Sequence, residues 1–347
     1  MASEGRETIS ADGVDDPVGY FLDDLTYHGR SERTRAAYER VLRAFEAHLA
    51  ERGATADTAD RRDCLEWVHE LRASYAPSTV ATYASYCNRF YRYMTEIEAL
   101  DGNPMSLVVE EMDESIDADP ARREVSVAEM RSFVRDVTHP LERAVVLTLL
   151  KTGVRVGELC NLDLRDLSLT AVDVEAEFDV ATRGALSGRP DSLFVASSPS
   201  RGSVVNGEER SASNKRQRDT VIPVDDELAS VLARWLAIRP DARSPARPLF
   251  CSTSEWGRRL TPGMARDVVR RHASANGWHQ SGGEPAENVT PHYFRHFFTT
   301  HLRDRTGDRG VVKYLRGDVA DDVIDTYTHN WGDRVRERYE ESVYSLL

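Results

Sequence analysis

The sequence predicts a mainly α-helical protein of two domains, with a small antiparallel β-sheet in the second domain. Apolar residues recur at helical spacing through the first hundred positions, and an acidic stretch then interrupts the pattern. Short β-rich segments bounded by Gly, Ser and Pro follow between residues 164 and 224, after which helical patterns resume. We therefore expect a disordered tail over 1–15, a helical domain over 16–104, an exposed linker over 105–122 and a second domain over 123–347.

Four apolar stripes in the N-terminal domain predict a small bundle of amphipathic helices. Ser31 is expected to cap the second helix, and Gly53 is expected to end it. Ser78 is expected to cap the fourth helix, which stops near Asn103 and Pro104.

Arginines are concentrated on two of these helices and on one helix of the second domain. A solvated surface and a DNA-binding surface both fit such a pattern. The candidates for DNA contact are Arg33, Arg35, Arg40, Arg43, Arg89, Arg92, Arg266, Arg270 and Arg271.

Local start and stop signals divide the second domain into helices. A capping box at 126–129 opens the domain. Between Pro140 and Gly153 the chain is apolar on nearly all sides, which indicates a buried helix. Two later helices are expected to begin at the Thr-Pro pairs 261–262 and 290–291, because Thr caps a helix and Pro suits its first turn.

The β-rich segments at 172–174, 193–195 and 221–222 predict the small antiparallel sheet. Long loops at 182–192 and 197–214, rich in Gly, Ser and Pro, separate them. The sequence shows no internal repeat.

The charge balance argues against nucleic acid at first sight. The net charge is −13, whereas phosphate contacts need Lys and Arg. Only three of the 45 basic residues are lysines, so the other 42 are arginines. This acidic, lysine-poor composition resembles that of proteins from organisms with molar salt in the cytoplasm, where a Debye length of roughly 3 Å screens net repulsion from DNA. Local arginine clusters are then more informative than the total, and an acidic protein that never touches DNA is the alternative.

The sequence indicates neither a membrane protein nor an oxidising compartment. No apolar run approaches the roughly 18 residues of a membrane span, and the first residues lack a basic and an apolar signal region. The four cysteines form no C-x-x-C pair, and Cys64 and Cys87 lie on apolar helix faces. We therefore expect buried free thiols in a cytoplasmic protein.

Two basic residues stand where packing explains them poorly. The segment T-G-V-R-V-G-E-L at 152–159 puts Arg155 just after a buried helix, where its charge needs a partner such as Glu158. Lys215 precedes a predicted strand in a chain that elsewhere replaces lysine by arginine. Because lysine can release a proton and arginine cannot, this exception indicates a need for an ammonium group. The alternative is that this lysine was retained by chance.

A histidine and an arginine share the first turn of a later helix. His292 and Arg295 are spaced i, i+3, so both project from one face of a helix N-terminus, which favours anions. This pattern predicts a phosphate site. A metal site at His292 and His296 is the alternative, but no carboxylate ligand accompanies them, so we expect no metal. We interpret His296 and His301 as ordinary hydrogen-bonded core residues.

Together with Tyr327 in Y-T-H at 327–329, these segments resemble the tyrosine recombinases of the phage integrase family. T-G-x-R-x-x-E-L is the first arginine box of that family, and H-x-x-R-H belongs to its second. Its β-hairpin lysine lies eight residues before a proline, as Lys215 does before Pro223. The resemblance covers 126–331 by motif. It implies an N-terminal helical, SAM-like core-binding domain followed by a tyrosine-recombinase catalytic domain.

Asp318 departs from the family pattern. The family usually has His or Trp nine residues before the tyrosine, where that side chain donates a hydrogen bond to the scissile phosphate or supports the tyrosine. An ionised Asp would repel phosphate, so we expect Asp318 to hold Arg155 or Arg295, or to take a proton.

The resemblance implies a site-specific recombinase that cuts and rejoins DNA without a metal or nucleotide cofactor. It assigns Arg155 and Arg295 to the scissile phosphate, Lys215 to the leaving 5′-oxygen, His292 to the proton of the tyrosine, and Tyr327 to the attack that leaves a 3′-phosphotyrosyl bond. A type IB topoisomerase-like enzyme and a catalytically inactive DNA-binding relative are the alternatives.

The resemblance also implies partners. Double-stranded DNA is the expected substrate, bound by a homo-tetramer that is a monomer or dimer when free, with or without accessory proteins. An apolar stripe after Gly332 is expected to dock either on a neighbouring protomer or on its own domain.

Overall fold

The structure is a computed structural model that describes residues 16–116, 121–283, 286–318 and 332–347. The chain divides into two compact units, Met1–Pro120 and Ala121–Leu347. Both units are mainly helical, and the small antiparallel sheets lie in the second, so the predicted fold class is confirmed. The expected tail over 1–15 lies outside the described residues.

The first unit is a helical bundle around one apolar core. Its helices are α1 Pro17–Tyr27, α2 Glu32–Ala50, α3 Arg61–Ser74, α4 Pro77–Glu96 and α5 Ser106–Glu111. Ser31 caps α2 as predicted, because its Oγ accepts a hydrogen bond from the Thr34 N–H at 3.2 Å. The Phe21 ring meets Tyr38 and Phe90 edge to face, which joins α1, α2 and α4 in the core.

Two helix boundaries in this unit differ from the prediction. α4 begins at Pro77 rather than after Ser78, because the proline ring already has a helical φ and lacks the N–H that a cap would satisfy. α5 extends the bundle past Pro104, because Met105 and Val108 are buried in the same core. The predicted linker therefore begins too early. The helix was not predicted because the acidic residues around these two apolar side chains indicate an exposed segment.

The second unit is built around the buried helix α7, which packs against α10 and α12. Its helices are α6 Val127–Asp136, α7 Pro140–Thr152, α8 Val156–Asn161, α9 Val174–Phe178, α10 Asp226–Leu236, α11 Pro262–Ala275, α12 Pro291–Thr306, α13 Arg309–Arg316 and α14 Gly332–Ser342. The predicted start signals are confirmed. Ser126 and Glu129 form a reciprocal capping box, and the hydroxyls of Thr261 and Thr290 cap α11 and α12.

A three-stranded antiparallel sheet has the order β1–β2–β5, with β1 Leu167–Ser168, β2 Ser192–Val195 and β5 Thr220–Pro223. A separate hairpin pairs β3 Val204–Val205 with β4 Glu208–Glu209, inside the loop predicted at 197–214. The strand predicted at 172–174 is wrong. The Asp173 carboxylate accepts a hydrogen bond from the Ala176 N–H at 3.1 Å, and this cap starts a helix at Val174 instead.

The C-terminal segment packs on its own unit, which is one of the two arrangements expected from the sequence. Tyr339, Tyr344 and Leu346 are buried in the core of this unit. The buried Lys151 explains the anchoring, because its ammonium group donates to Asp225 and to the Tyr344 carbonyl.

The remaining expectations concern thiols and membrane segments. All four cysteines are free and buried, as predicted for Cys64 and Cys87. Burial raises the pKa of Cys64 and of Cys160 to about 12, so both are neutral thiols at pH 7. Within the described ranges, no helix is long and apolar enough to cross a membrane.

Candidate active site

A tight turn at the end of α7 positions Arg155. Gly153 adopts φ +62°, and a Cβ there would lie 2.3 Å from Cδ1 of Phe298, so only glycine fits. Arg155 then becomes the N-cap residue of α8. Its backbone N–H and its Nη1 each donate to the Glu158 carboxylate at 3.0 Å. Because Glu158 is fully buried, its charge requires such partners.

Arg295 reaches the same turn from the first turns of α12. Its Nη1 donates to the Gly153 carbonyl at 2.6 Å and its Nη2 donates to the Arg316 carbonyl at 3.2 Å. Only 3% of its side chain is exposed. Burial, followed by repulsion from Arg155 and Arg316, lowers the pKa of Arg295 to about 9, so the guanidinium is still protonated at neutral pH.

Asp318 lies between these two arginines. Its Oδ1 accepts from Nη2 of Arg155 at 3.2 Å and from Nη2 of Arg295 at 3.1 Å. Its Oδ2 pairs with Nε of Arg316 at 2.8 Å. Contact with an arginine was one of the two arrangements considered from the sequence. The Oδ1 position shows where one anionic oxygen is bound by both guanidinium groups at once.

The loop before β5 carries Lys215 and Arg216. Lys215 is exposed, and within the described part of the chain it has no hydrogen bond or ion pair. Arg216 is buried, and its Nη1 donates to the Leu315 carbonyl at 2.9 Å while its Nη2 donates to Glu158 at 3.3 Å. Arg216 could not be predicted as a site residue, because nothing in the local sequence distinguishes a buried arginine from an exposed one beside the same lysine.

His292 stands at the start of α12, exposed at its surface but within the field of the arginines. Partial desolvation of the ring is the largest cause that lowers its pKa below 6.5. Repulsion from four arginines acts in the same direction, and these are Arg122, Arg295, Arg155 and Arg316. The imidazole is therefore mainly neutral at pH 7 and can accept a proton.

Tyr327, the predicted nucleophile, lies outside the described residues. Within the described ranges, no group of three or more His, Cys, Asp or Glu side chains is arranged to hold a metal ion.

The candidate DNA-contacting residues of the first unit lie on α2 and α4. They are Arg33, Arg35, Arg40, Arg43, Arg89 and Arg92. Two of them pack across the helix pair onto tyrosine rings. The Arg40 guanidinium lies 5.9 Å from the ring centre of Tyr83, and that of Arg89 lies 6.0 Å from the ring centre of Tyr38. Cationic and aromatic groups therefore alternate on a shared face of α2 and α4.

Two other arginines of this unit already have carboxylate partners. Arg43 donates to both oxygens of Asp16, at 2.8 and 2.6 Å, and to Glu46 at 2.7 Å. Arg92 lies 4.0 Å from Glu96, one helical turn away. Each of these charges therefore has an acidic neighbour at the protein surface, which weakens its attraction for phosphate.

The same distinction holds on α11 of the second unit. Arg271 donates to Glu142 through both terminal nitrogens, at 3.1 and 3.0 Å, and Arg270 pairs with Asp267 at 2.8 Å. Arg266 is exposed and has no carboxylate partner among the described residues. Of the three candidates on this helix, only Arg266 presents an uncompensated charge.

The structure thus combines a helical N-terminal unit with a second unit in which two arginines converge on one carboxylate oxygen. The chain belongs to the phage integrase family. Residues 127–332 match that family, and residues 18–98 match the phage integrase N-terminal SAM-like domain.

Relatives of similar length match almost the whole chain. Tyrosine recombinase XerC of Pelobacter propionicus is 25% identical over 327 residues, which cover 91% of this chain and 91% of the relative. XerC of Mycobacterium bovis is 27% identical and covers 90% of this chain and 93% of its own. Tyrosine recombinase XerA of Pyrococcus horikoshii is 25% identical, with 98% of this chain and 96% of the relative covered.

Solved structures share the fold. A lambda integrase dimer bound to a COC′ core site superposes with a TM-score of 0.61 at 14% identity, over 95% of this chain and 78% of that one. The Tn1549 transposon integrase in complex with transposon right end DNA has a TM-score of 0.62 at 19% identity, over 93% and 98%. At these identities the likeness concerns the fold alone.

Proposed function

We propose that this chain cuts and rejoins double-stranded DNA at specific sites through a covalent bond between Tyr327 and a 3′-phosphate. The observation that carries the proposal is the convergence of Arg155 and Arg295 on one oxygen of Asp318. A phosphate oxygen at that position would accept hydrogen bonds from two guanidinium groups. Such charge-assisted contacts stabilise the negative charge of a phosphoryl transfer transition state.

The cleavage step exchanges one phosphate ester for another. The Tyr327 oxygen forms a bond to phosphorus while the bond from phosphorus to the 5′-oxygen breaks. His292 takes the phenolic proton, for which its lowered pKa keeps the ring neutral. Lys215 protonates the leaving 5′-oxygen, because an ammonium group can release a proton. A 5′-hydroxyl from a second duplex reverses the attack, so we expect no nucleotide or metal cofactor.

Asp318 acts in this proposal as a positioning residue for the two arginines. Its Oδ1 contacts both Nη2 groups, and its Oδ2 contacts Arg316. A phosphate oxygen and a carboxylate oxygen repel each other, so the incoming phosphate displaces Oδ1 from the two Nη2 groups. Asp318 then keeps its pairing with Arg316, outside the position taken by the phosphate.

Arginines that have no carboxylate partner among the described residues are the proposed contacts to the DNA backbone. These are Arg33, Arg35, Arg40, Arg89 and Arg266. The compensated arginines contribute less, and these are Arg43, Arg92, Arg270 and Arg271. Phosphate contacts set affinity and register, whereas base contacts set the choice of site.

Strand exchange between two duplexes requires four tyrosines, so we propose a homo-tetramer assembled on DNA from free monomers or dimers. The relatives named as tyrosine recombinases and the DNA-bound lambda integrase support DNA as the substrate. We propose that the protein acts in the cytoplasm, where its substrate lies. The composition supports activity at molar salt.

A covalent-trapping assay tests the proposal. The full chain is mixed in molar KCl with DNA fragments from its own genomic neighbourhood, some of them nicked to prevent religation, and run on a denaturing gel. We expect a protein–DNA adduct that Tyr327→Phe abolishes. Sequencing the trapped fragment then locates the cleavage site.

The same assay separates the rival activities. A type IB topoisomerase would relax supercoiled plasmid and form adducts on fragments without a shared core sequence. An inactive relative would bind a fragment without any adduct, and that outcome would refute the proposed chemistry. The family and the relatives support the recombinase over both.

A further inference from the structure

We propose that Arg216 is a positioning residue that fixes the backbone around Lys215 at the phosphate site. This inference rests on the proposed role of Lys215 as the acid for the leaving oxygen. The two neighbours differ sharply, because the Arg216 side chain is 0% exposed whereas Lys215 is exposed. A buried guanidinium is unfavourable unless its charge and its N–H groups find partners, so those partners define where the loop is held.

The partners of Arg216 belong to α8, which begins directly after Arg155, and to α13, whose last carbonyl accepts a hydrogen bond from Arg295. Its Nη2 lies 3.3 Å from Oε2 of Glu158, and Oε1 of the same carboxylate accepts from Arg155 at 3.0 Å. Its Nη1 donates to the Leu315 carbonyl at 2.9 Å, three residues before Asp318. One side chain therefore connects the loop of the lysine to α8 and to the end of α13.

Two glycines allow this loop to approach so closely. Gly317 has φ +68°, and a Cβ there would lie 2.2 Å from Cγ of Arg216. The N–H of Gln217 donates to the Gly317 carbonyl at 3.1 Å. On the other side of the lysine, a Cβ on Gly157 would lie 2.9 Å from the Ser213 carbonyl oxygen. The backbone is thus held against the site both before and after the lysine.

An acid on a long, flexible side chain needs such support. The ammonium group of Lys215 has no hydrogen-bond partner among the described residues. Its position therefore depends on the backbone at the base of the four-carbon side chain. A displacement of about 1 Å can cost on the order of 10²-fold in rate. Loss of Arg216 should therefore weaken the action of Lys215 as the acid, although the buried Arg216 side chain does not contact the DNA in this proposal.

Single-turnover cleavage of two substrates tests this inference. One is the nicked fragment that traps the wild-type protein, and the other carries sulfur in place of the bridging 5′-oxygen at the cleavage site. A thiolate leaves without protonation, so it removes the need for an acid. We expect Arg216→Ala to cleave the oxygen substrate about 10²-fold more slowly and the sulfur substrate within about threefold of wild type.

A double-mutant comparison strengthens the test. Lys215→Ala with Arg216→Ala should cleave no more slowly than Lys215→Ala alone, because both changes remove one function. Arg218→Ala is the matched control. It removes the same charge from the same exposed loop, where Arg218 stacks on Tyr314 at 4.8 Å, and should leave both rates unchanged.

Equal losses on the two substrates would overturn the inference, because Arg216 would then act through Glu158 and Arg155. An absence of adduct with the wild-type protein would instead refute the proposed function. Hydrogen exchange of the amides at 213–218 decides the structural part without DNA. We expect faster exchange in Arg216→Ala, and in Arg216→Gln should the alanine variant fold poorly. Exchange as slow as in the wild type would refute the positioning role.

Discussion

At the level of single residues, Asp318 is the feature that most alters the chemistry expected of this site. A neutral His or Trp can donate a hydrogen bond to a phosphate, whereas a carboxylate can only accept. The geometry shows that Asp318 accepts from both arginines instead. In the proposed mechanism, it would therefore hold the two arginines before DNA binds and compete with the phosphate for the same donors.

Replacing Asp318 by Asn should change DNA binding and cleavage in opposite directions. The amide keeps the size of the side chain but removes a negative charge beside the phosphate, so affinity for the cleavage-site fragment should rise about threefold to tenfold. The arginines lose a charge-assisted contact, so single-turnover cleavage should fall about tenfold. Fluorescence anisotropy and the trapping assay measure the two effects.

Asp304→Asn is the matched control for this change. Asp304 lies on α12 and pairs with the adjacent Arg303 at the surface, so its loss should alter neither quantity. Weaker DNA binding by Asp318→Asn would show that the carboxylate does not compete with phosphate.

The neutral state of His292 predicts an acidic limit to cleavage. Because its pKa is lowered, the base form persists to below pH 6.5, and the rate should fall only as the pH drops through the lowered pKa. We expect a single-turnover rate that is level from pH 8 to about pH 6.5 and declines below it. His292→Gln should be slower at every pH and should lack this decline, and a decline that persists in that variant would assign it to another group.

At the level of helices, neighbouring arginines on α2 and α4 differ in whether a carboxylate of the protein pairs with them. Arg40 lies beside Tyr83 and has no carboxylate partner in the described part of the chain, whereas Arg43 pairs with Asp16 and Glu46. Side chains three residues apart on one helix therefore differ in the charge that they can offer to DNA. Spacing indicates the pair with Glu46, three residues further along α2, but it cannot reveal the pair with Asp16, which belongs to the segment before α1.

Arg40→Ala and Arg43→Ala test that distinction directly. Each phosphate contact contributes about 0.9 to the slope of log affinity against log salt concentration. Arg40→Ala should lower the slope by about that amount and weaken binding to all sequences similarly. Arg43→Ala, measured by the same KCl titration, should leave the slope unchanged. Equal effects of both variants would contradict the role given to compensation.

At the level of the whole molecule, the C-terminal segment completes the second unit. Lys151 is fully buried, and its partners include Glu227 at 2.8 Å and the Tyr344 carbonyl. The Tyr344 hydroxyl donates to the Leu150 carbonyl at 2.5 Å. The last residues of the chain thus satisfy the polar groups of the central helix α7, which also carries the turn to Arg155.

Tyr344→Ala should lower the free energy of unfolding of the second unit by about 3–5 kcal/mol, because a buried aromatic side chain is removed. Urea denaturation followed by circular dichroism measures the change. The loss should not depend on protein concentration, since the segment packs on its own unit. Leu347→Ala, at an exposed position of the same segment, should have little effect. A loss that appears only at high concentration or on DNA would indicate docking on a neighbouring protomer.

Signals confined to a few adjacent residues allowed much of this protein to be predicted from its sequence. The helix starts at Thr261 and Thr290 and the turn at Gly153 depend on local backbone chemistry, and the structure has them where predicted. The order of the motifs identified the family for the same reason, because each motif is short and contiguous. The helix start misplaced at Ser78 and the strand wrongly predicted at 172–174 have a common cause, because each local sequence was compatible with two structures.

Burial and charge compensation, in contrast, were decided only by the tertiary structure. Asp318 and Arg155 are 163 residues apart, and Arg216 and Glu158 are 58 apart, yet each pair shares a hydrogen bond. The free energy of a charged side chain depends on which groups surround it, and those groups come from distant parts of the chain. Composition and spacing therefore indicated which residues could perform the chemistry, but folding alone determined which arginines are held inside the protein and which remain available to DNA.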